Sequence, residues 1–335
     1  MVRKIRMADI AKELGVSTVT VSKALGNQRG VSDELREKIK TVAEEMGYEL
    51  PVSYKNRDRK GYNIGVLVAT TYIEKYATFY WEFYQLLSSA AAKINSFVML
   101  EILSLEAEKE LQDILLIREG KIDGLIILGK INTEYLNHIK ENCQIPTVYL
   151  DFYDNKVEED CVISNSFYGA YKMTNYLFNM GHKEIAYVGT LLTTDSITDR
   201  YLGYQKSMLE HGNIVKQEWL IKDREDVREM YDKISLPEQL PTAFFCNSDL
   251  TASKVIKALQ ERGMRVPEDV SVAGYDDYLY PGVCDIPLTT YAVDMGQMVE
   301  EGIHILVKKI EGEPYRSGIH VIEGKLVERA SVLRR

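Results

Sequence analysis

Residues 7–25 read MADIAKELGVSTVTVSKAL, and this stretch decides how the rest of the chain is organised. Ile10, Ala11 and Leu14 fall at i, i+1 and i+4, which gives a short helix one apolar face. Gly15 stops that helix, because a residue without a Cβ enters the left-handed region at little cost. Ser17 offers an oxygen to cap a second helix. In that helix Val21, Ala24 and Leu25 share the inward face, and Thr18, Val19, Ser22 and Lys23 share the outward one. A third amphipathic helix is expected from Ser32 to Met46, with Leu35, Ile39, Val42 and Met46 spaced by four, three and four residues. Two short helices at a sharp angle, closed by a third, make a helix-turn-helix. An ordinary three-helix bundle with a solvated polar face fits the same pattern.

Charge is divided unevenly along the chain. Its 335 residues carry a net charge of −9, which by itself disfavours a polyanionic partner. Residues 1–60, however, hold 13 Lys and Arg against 9 Asp and Glu, leaving the remainder at −13. A small basic head on an acidic body keeps attraction to phosphates local to the head. Hydrophobic content of 45% and a mean hydropathy of −0.21 fit a water-soluble chain of two or three compact units. No apolar run approaches the roughly 20 residues that span a bilayer. No apolar segment follows the basic amino terminus, so a signal peptide is not expected and a cytoplasmic location without membrane contact is. Cys143, Cys161, Cys246 and Cys284 form no CxxC and are expected to be reduced and mostly buried.

Residues 48–63 (YELPVSYKNRDRKGYN) lack apolar periodicity and read as a basic linker. From Ile64 onward short apolar runs alternate with amphipathic segments. IGVLV (64–68), FVML (97–100), GLIIL (124–128) and TVYLD (147–151) suit strands buried on both faces, with helices near 79–93, 105–119 and 133–142. EIAYVG (184–189), TAFFC (242–246) and VSVAGY (270–275) repeat the theme, with helices near 166–180, 198–211 and 249–262. A helix over Asp294–Ile310 and closing strands near 319–327 complete the chain. The expected fold class is α/β, a helix-turn-helix head followed by two mostly parallel sheets.

The run ADIAKELGVSTVTVSKAL, followed by VSDELREKIKTVAEEMGY, resembles the amino-terminal domain of the lactose repressor (LacI/GalR) family. NYLFNMGHKEIAYVG, PTAFFCNSDLTASKVIKALQERGMRVPEDVSVAGYDD and PLTTYAVDMGQMVEEG extend the resemblance over nearly the whole chain. Departures are Lys23 where Arg is usual, and Arg6 where Ser or Thr usually caps the first helix. The family's Ala-Ala-Arg-x-Leu hinge run is missing from the linker. The resemblance implies a DNA-binding head over 1–47, a hinge over 48–62 and a two-lobed, periplasmic-binding-protein-like body over 63–335. The chain of such a body crosses between lobes three times. The expected N-lobe is about 63–160 with 291–318, and the C-lobe is 161–290 with 319–335.

The function implied is ligand-controlled binding of double-stranded operator DNA by a homodimer, most simply as a repressor. Ser17, Thr18, Val19, Ser22 and Lys23 of the head, with Lys55 and Arg57 of the linker, are the expected DNA contacts. Open α/β sheets bind ligands beyond the carboxyl ends of their strands, so the effector belongs between the lobes. Phe79, Tyr80 and Arg200 match ligand-contacting positions of the family. Asp151 and Asp276 stand at strand ends, and Ser248 and Asp249 occupy the place of the family's Asn-Asp pair. Each has a plainer role open to it: core packing for Phe79, a turn cap for Asp151 or Asp276, a surface ion pair for Arg200. Carboxylates, an arginine and aromatic faces suit a sugar, and a nucleobase would also stack on Tyr80.

No GxGxxG follows a strand and no GxxxxGK[ST], HExxH or GxSxG occurs. No catalytic set, metal site or cofactor is therefore expected. A transport receptor of the same body fold would need an export signal and has no use for a basic helix-turn-helix. His182, in a Gly-His turn, reads as structural.

Lys23 projects from the outward face of the second helix, where an amine can reach guanine O6 and N7 at about 1–3 kcal/mol of discrimination. Lys23→Ala is expected to relax preference at one base pair in each half-site. Binding measured across single-base operator variants checks this, and an affinity loss uniform across the variants would make Lys23 a phosphate contact instead.

Overall fold

The computed structural model describes residues 5–25, 31–48, 61–73, 79–226, 230–278 and 283–335. Three helices form the head: α1 (Met7–Leu14), α2 (Thr18–Leu25) and α3 (Asp33–Glu45). Ile10, Val21, Ala24 and Ile39 are fully buried between them, with Leu14, Leu35, Val42 and Met46 packed around that centre. Gly15 is left-handed, as a helix stop requires. Arg6 sits at the N-cap of α1, and the cap is completed from inside the helix: the Asp9 carboxylate accepts the Arg6 backbone N–H at 2.8 Å. Ser17 accepts the Thr20 N–H at 3.0 Å, opening α2. Arg36 of α3 donates to the carbonyls of Ala24 and Val31, which closes the far end of α2.

The body holds two parallel sheets. The first has the order β11-β5-β4-β3-β1-β2, built from β1 (Asn63–Ala69), β2 (Phe97–Leu103), β3 (Gly124–Leu128), β4 (Thr147–Leu150), β5 (Cys161–Ser164) and β11 (Ile319–Ile322). Ile64, Val66, Ile126, Leu128, Val148 and Leu150 line one face, and Leu67, Leu125, Ile127 and Tyr149 line the other. Continuous apolar runs were the signal for this two-sided burial. Helices α4 (Phe79–Lys93), α7 (Thr133–Asn142) and α11 (Met295–Glu311) belong to this lobe. The second sheet has the order β7-β6-β8-β9, from β6 (Ile185–Val188), β7 (Leu220–Ile221), β8 (Ala243–Cys246) and β9 (Ser271–Ala273). Helices α8 (Ser166–Asn179), α9 (Asp195–Glu210) and α10 (Asp249–Glu261) belong to that one. A short antiparallel pair, β10 (Thr290–Ala292) with β12 (Lys325–Val327), joins the crossings. No described helix is long and apolar enough to cross a membrane.

Three details differ from expectation. Residues 161–164 and 319–322 pair with each other and lie in the first sheet, so the crossings fall near 165 and 323 instead of 160 and 318. Local hydrophobicity marks strands but does not say which sheet accepts them. The expected helix over 105–119 is two short ones, α5 (Leu105–Lys109) and α6 (Leu115–Arg118). Leu111 turns left-handed between them, and the Glu101 carboxylate accepts the N–H groups of Leu115 and Leu116 at 2.8 Å, starting α6 afresh. The helix expected from 198 begins three residues earlier, where the Thr194 side chain caps it. Residues 49–60 of the linker, with Lys55 and Arg57, lie outside the described residues.

Helices α8 and α9 cross in close contact at Gly203, where a Cβ would stand 2.0 Å from the Phe167 carbonyl oxygen and 2.9 Å from the Tyr171 nitrogen. Both obstacles are backbone and cannot rotate away. Gly203→Ala is expected to cost about 1–3 kcal/mol as the helices part, read as a fall in the urea midpoint with unchanged slope.

Candidate functional site

Carboxyl ends of the two sheets face each other, and the side chains just beyond them form a cleft. From the first lobe come Tyr72, Tyr80, Lys130 and Asp151. Gly129 ends β3 at φ +77°, and a Cβ there would stand 2.9 Å from the Tyr72 ring and 3.0 Å from the Tyr80 ring. Glycine thus lets both rings lie against the backbone, 4.4 Å apart between centroids. The Tyr80 hydroxyl donates to Asp151 at 3.0 Å, and the Tyr72 hydroxyl donates to the Lys130 carbonyl at 2.9 Å. Phe79 stands edge-on to Tyr80 and to Tyr278 of the opposite lobe, with centroids 5.6 and 6.1 Å away.

Arg200, on α9, forms the opposing wall. It is 5% exposed. Its guanidinium lies 3.9 Å over the Tyr275 ring, pairs with Asp276 at 2.9 Å and donates to the Asn247 carbonyl. Burial pushes the Asp276 carboxyl up to about 6, with Arg200 pulling the other way. Asp151 rises to about 7 for the same reason, because burial outweighs Arg200 and the Tyr80 hydroxyl. Asp151 and Asp276 sit at φ +68° and +98°, a left-handed backbone that aspartate tolerates better than most residues and that turns each side chain off its strand. An ion pair between Lys130 and Asp195, 2.9 Å long, links the two lobes.

The residues expected at the cleft separate into two groups. Tyr80, Asp151, Arg200 and Asp276 come together, with Phe79 alongside. Ser248 and Asp249 do not join them. Ser248 caps α10, accepting the Thr251 N–H at 3.1 Å. Asp249 is 2% exposed and accepts from the Thr290 hydroxyl at 2.7 Å and the Tyr278 N–H at 3.1 Å, tying α10 to a crossing. Burial raises its carboxyl well above the ordinary value. The first residue of a helix points back over its own cap, which is why these two serve the turn. Asn247, one residue earlier, is the one whose carbonyl receives Arg200, while its amide holds Asp223 at 2.9 Å. His182 is fully buried between the Thr242 hydroxyl and the Leu333 carbonyl, each 3.1 Å away. It is structural, as expected.

Sequence reading missed Tyr72, Lys130, Asp195 and Tyr275. Tyr72 falls in the segment after β1, and Lys130 follows the GLIIL strand, so position after a strand was the available signal. Nothing local marks Asp195 as a cross-lobe partner. In the head, Thr18 is exposed, Val19 is 60% exposed, and Ser22 and Lys23 are partly so. These four share one face of α2, whereas the Ser17 oxygen serves the cap.

A head that presents a solvent-facing recognition helix, set before a two-lobed body with a polar cleft, defines a ligand-controlled DNA-binding regulator. Residues 6–49 match the model of the bacterial regulatory proteins of the lacI family, and residues 174–332 match the periplasmic binding protein-like domain. Among curated relatives, the HTH-type transcriptional repressors PurR of Histophilus somni strain 129Pt and of Haemophilus influenzae strain Rd are each 29% identical. The alignments cover 97% of this chain and 98% and 97% of those proteins respectively. Among solved structures, the lac repressor dimer bound to operator and the anti-inducer ONPF superimposes with a TM-score of 0.66 at 21% identity, covering 99% of this chain and 100% of that one. A complex of the regulator CelR with cellobiose gives 0.69 at 23%, covering 98% and 100%. The chain thus carries a helix-turn-helix domain of the lacI family and a periplasmic-binding-protein-like domain, and its curated relatives are transcriptional repressors.

Asp151 provides a pH test. Its folded carboxyl binds a proton more tightly than the ordinary value of 3.8 allows, so the folded state holds the extra proton between about pH 4 and 7. Stability must therefore fall as pH rises through that window and level off above it. Asp151→Asn is expected to remove this loss, so wild type should fall behind the variant in Tm from pH 5 to pH 7.5. Each ~1 kcal/mol of difference would read as roughly 2–4 °C.

Proposed function

We propose that the protein is a dimeric repressor whose grip on operator DNA is set by a small ring-shaped metabolite bound between the lobes. The observation that carries this reading is the facing pair of Arg200 and Asp276 on one lobe and Tyr80 and Asp151 on the other. A ligand that touches both walls fixes the angle between the lobes, and in a dimer that angle sets the spacing of two heads about one DNA turn apart. Thr18, Val19, Ser22 and Lys23 face the major groove in this reading, with Lys55 and Arg57 of the linker on phosphates. A sugar suits the polar groups. The second ring of Tyr72 beside Tyr80 favours a nucleobase, because two adjoining aromatic faces prefer a flat partner.

Coupling between effector and operator is reciprocal and typically amounts to about 1–3 kcal/mol, roughly 5–150-fold in affinity. Arg200→Lys and Asp276→Asn are expected to abolish the effector response while leaving ligand-free operator affinity nearly unchanged. Operator titrations with and without a ligand identified by thermal-shift screening check this. A variant that responds with wild-type strength removes its residue from the site, and if both respond the cleft is not the effector site.

A further inference from the structure

Among the described residues the charges at the cleft pair off except for two carboxylates, Asp151 and Asp199. Lys130 is paired with Asp195 at 2.9 Å, Arg224 with Asp223 at 2.8 Å, and Arg200 with Asp276 at 2.9 Å. Asp151 has no ion-pair partner among the described residues. The one side-chain hydrogen bond to its carboxylate comes from the neutral Tyr80 hydroxyl at 3.0 Å. Tyr72 faces it from its own lobe, but that hydroxyl is spent on the Lys130 carbonyl. Arg200 and Asp276 face it from across the cleft, and Arg200 is already committed to Asp276. One guanidinium is therefore faced by three partly buried carboxylates, Asp276, Asp151 and Asp199.

A second observation lies on the opposite wall. Arg200 Nε and Asp276 Oδ1 are both buried without a hydrogen-bond partner among the described residues, although the two side chains form an ion pair. Buried polar groups left without a partner are costly, the more so when they carry charge. The cleft thus offers a guanidinium already committed to Asp276 and, across from it, a carboxylate that wants a cation. Hydroxyl groups on a neutral ligand would leave Asp151 without a counter-charge whenever it ionises, whereas a cation would favour its ionised form.

We infer that the effector is a cation: a compact ring molecule with a basic nitrogen against Asp151 and an acceptor oxygen or nitrogen against Arg200. This rests on the cleft assignment proposed above and narrows it to amino sugars and to heterocycles basic enough to be protonated at neutral pH. Asp151 is then a specificity-determining residue, and its unmatched charge selects against neutral analogues of the same shape.

The test uses the full-length protein at pH 7 and pairs matched in shape but not in charge: glucosamine against glucose and N-acetylglucosamine, and mannosamine against mannose and N-acetylmannosamine. Affinities are taken from thermal shifts. The basic member of a binding pair is expected to bind about tenfold tighter than its neutral counterpart, the size of one charge-assisted contact. Asp151→Asn is expected to bring the pair level. In wild type, where no variant needs to fold, the same preference is expected to shrink from pH 7 to pH 5.5. There the amino sugars keep their charge while Asp151 takes up a proton. Neutral members that bind as tightly as basic ones, with binding still lost in Arg200→Lys, would overturn the cation and leave the cleft assignment standing. Binding unaffected by Arg200→Lys would overturn the cleft assignment itself. Absence of any shift across all pairs would overturn both.

Discussion

One guanidinium organises the second lobe's wall of the cleft. Arg200 lies against the Tyr275 ring at 3.9 Å, pairs with Asp276 and donates to the carbonyl at the end of β8. Removing such a charge from water costs several kcal/mol and is recovered only when the surrounding geometry is good. Here three elements supply that geometry: α9 carries the arginine, and the ends of β8 and β9 receive it. The planar guanidinium suits this task because it stacks and donates in fixed directions at once.

Tyr275 extends this arrangement toward the crossings between lobes. Its hydroxyl lies 3.5 Å from the Asn165 carbonyl of the first crossing, and its ring is 5.3 Å from that of Tyr291 on the second. The Tyr291 hydroxyl in turn donates to the Gly324 carbonyl of the third at 2.9 Å. Arg200, two tyrosines and three chain crossings thus form one packed column. Packed columns of this kind have discrete arrangements and resist continuous deformation, which is what a body that must hold one interlobe angle requires. Asp223 performs a related duty within the second lobe. Burial opposes its ionisation, but Arg224, Asn247 and the Thr190 N–H bring its carboxyl down to about 2, so it stays charged and binds the loops after β6 and β8.

Much of the fold was legible along the chain because its signals are local. The head could be read from apolar spacing, one left-handed glycine and capping side chains, all acting within four residues. Strands buried on both faces announce themselves as unbroken apolar runs such as GLIIL, and helices between them as periodic ones. Local signals also failed in recognisable ways. The segment over 105–119 has the periodicity of one helix, but the Glu101 carboxylate from a neighbouring strand starts a second one within it. Ser248 and Asp249 follow a strand, as a ligand-binding residue should, yet the helix they begin claims both.

By itself, then, the sequence determined the helix-turn-helix head, the alternation of strands and helices, and the residue types available beyond the strand ends. Each follows from forces that act over one turn of helix or one strand. Tertiary structure alone decided which sheet receives residues 161–164 and 319–322, that Lys130 meets Asp195, and that Arg200 is shared between Asp276 and a distant Asp151. Charge balance in a cleft is a property of side chains more than a hundred residues apart, brought together only when two sheets turn their carboxyl ends to each other. No spacing rule along one chain encodes it, because the energy of a buried charge depends on every group that surrounds it in space.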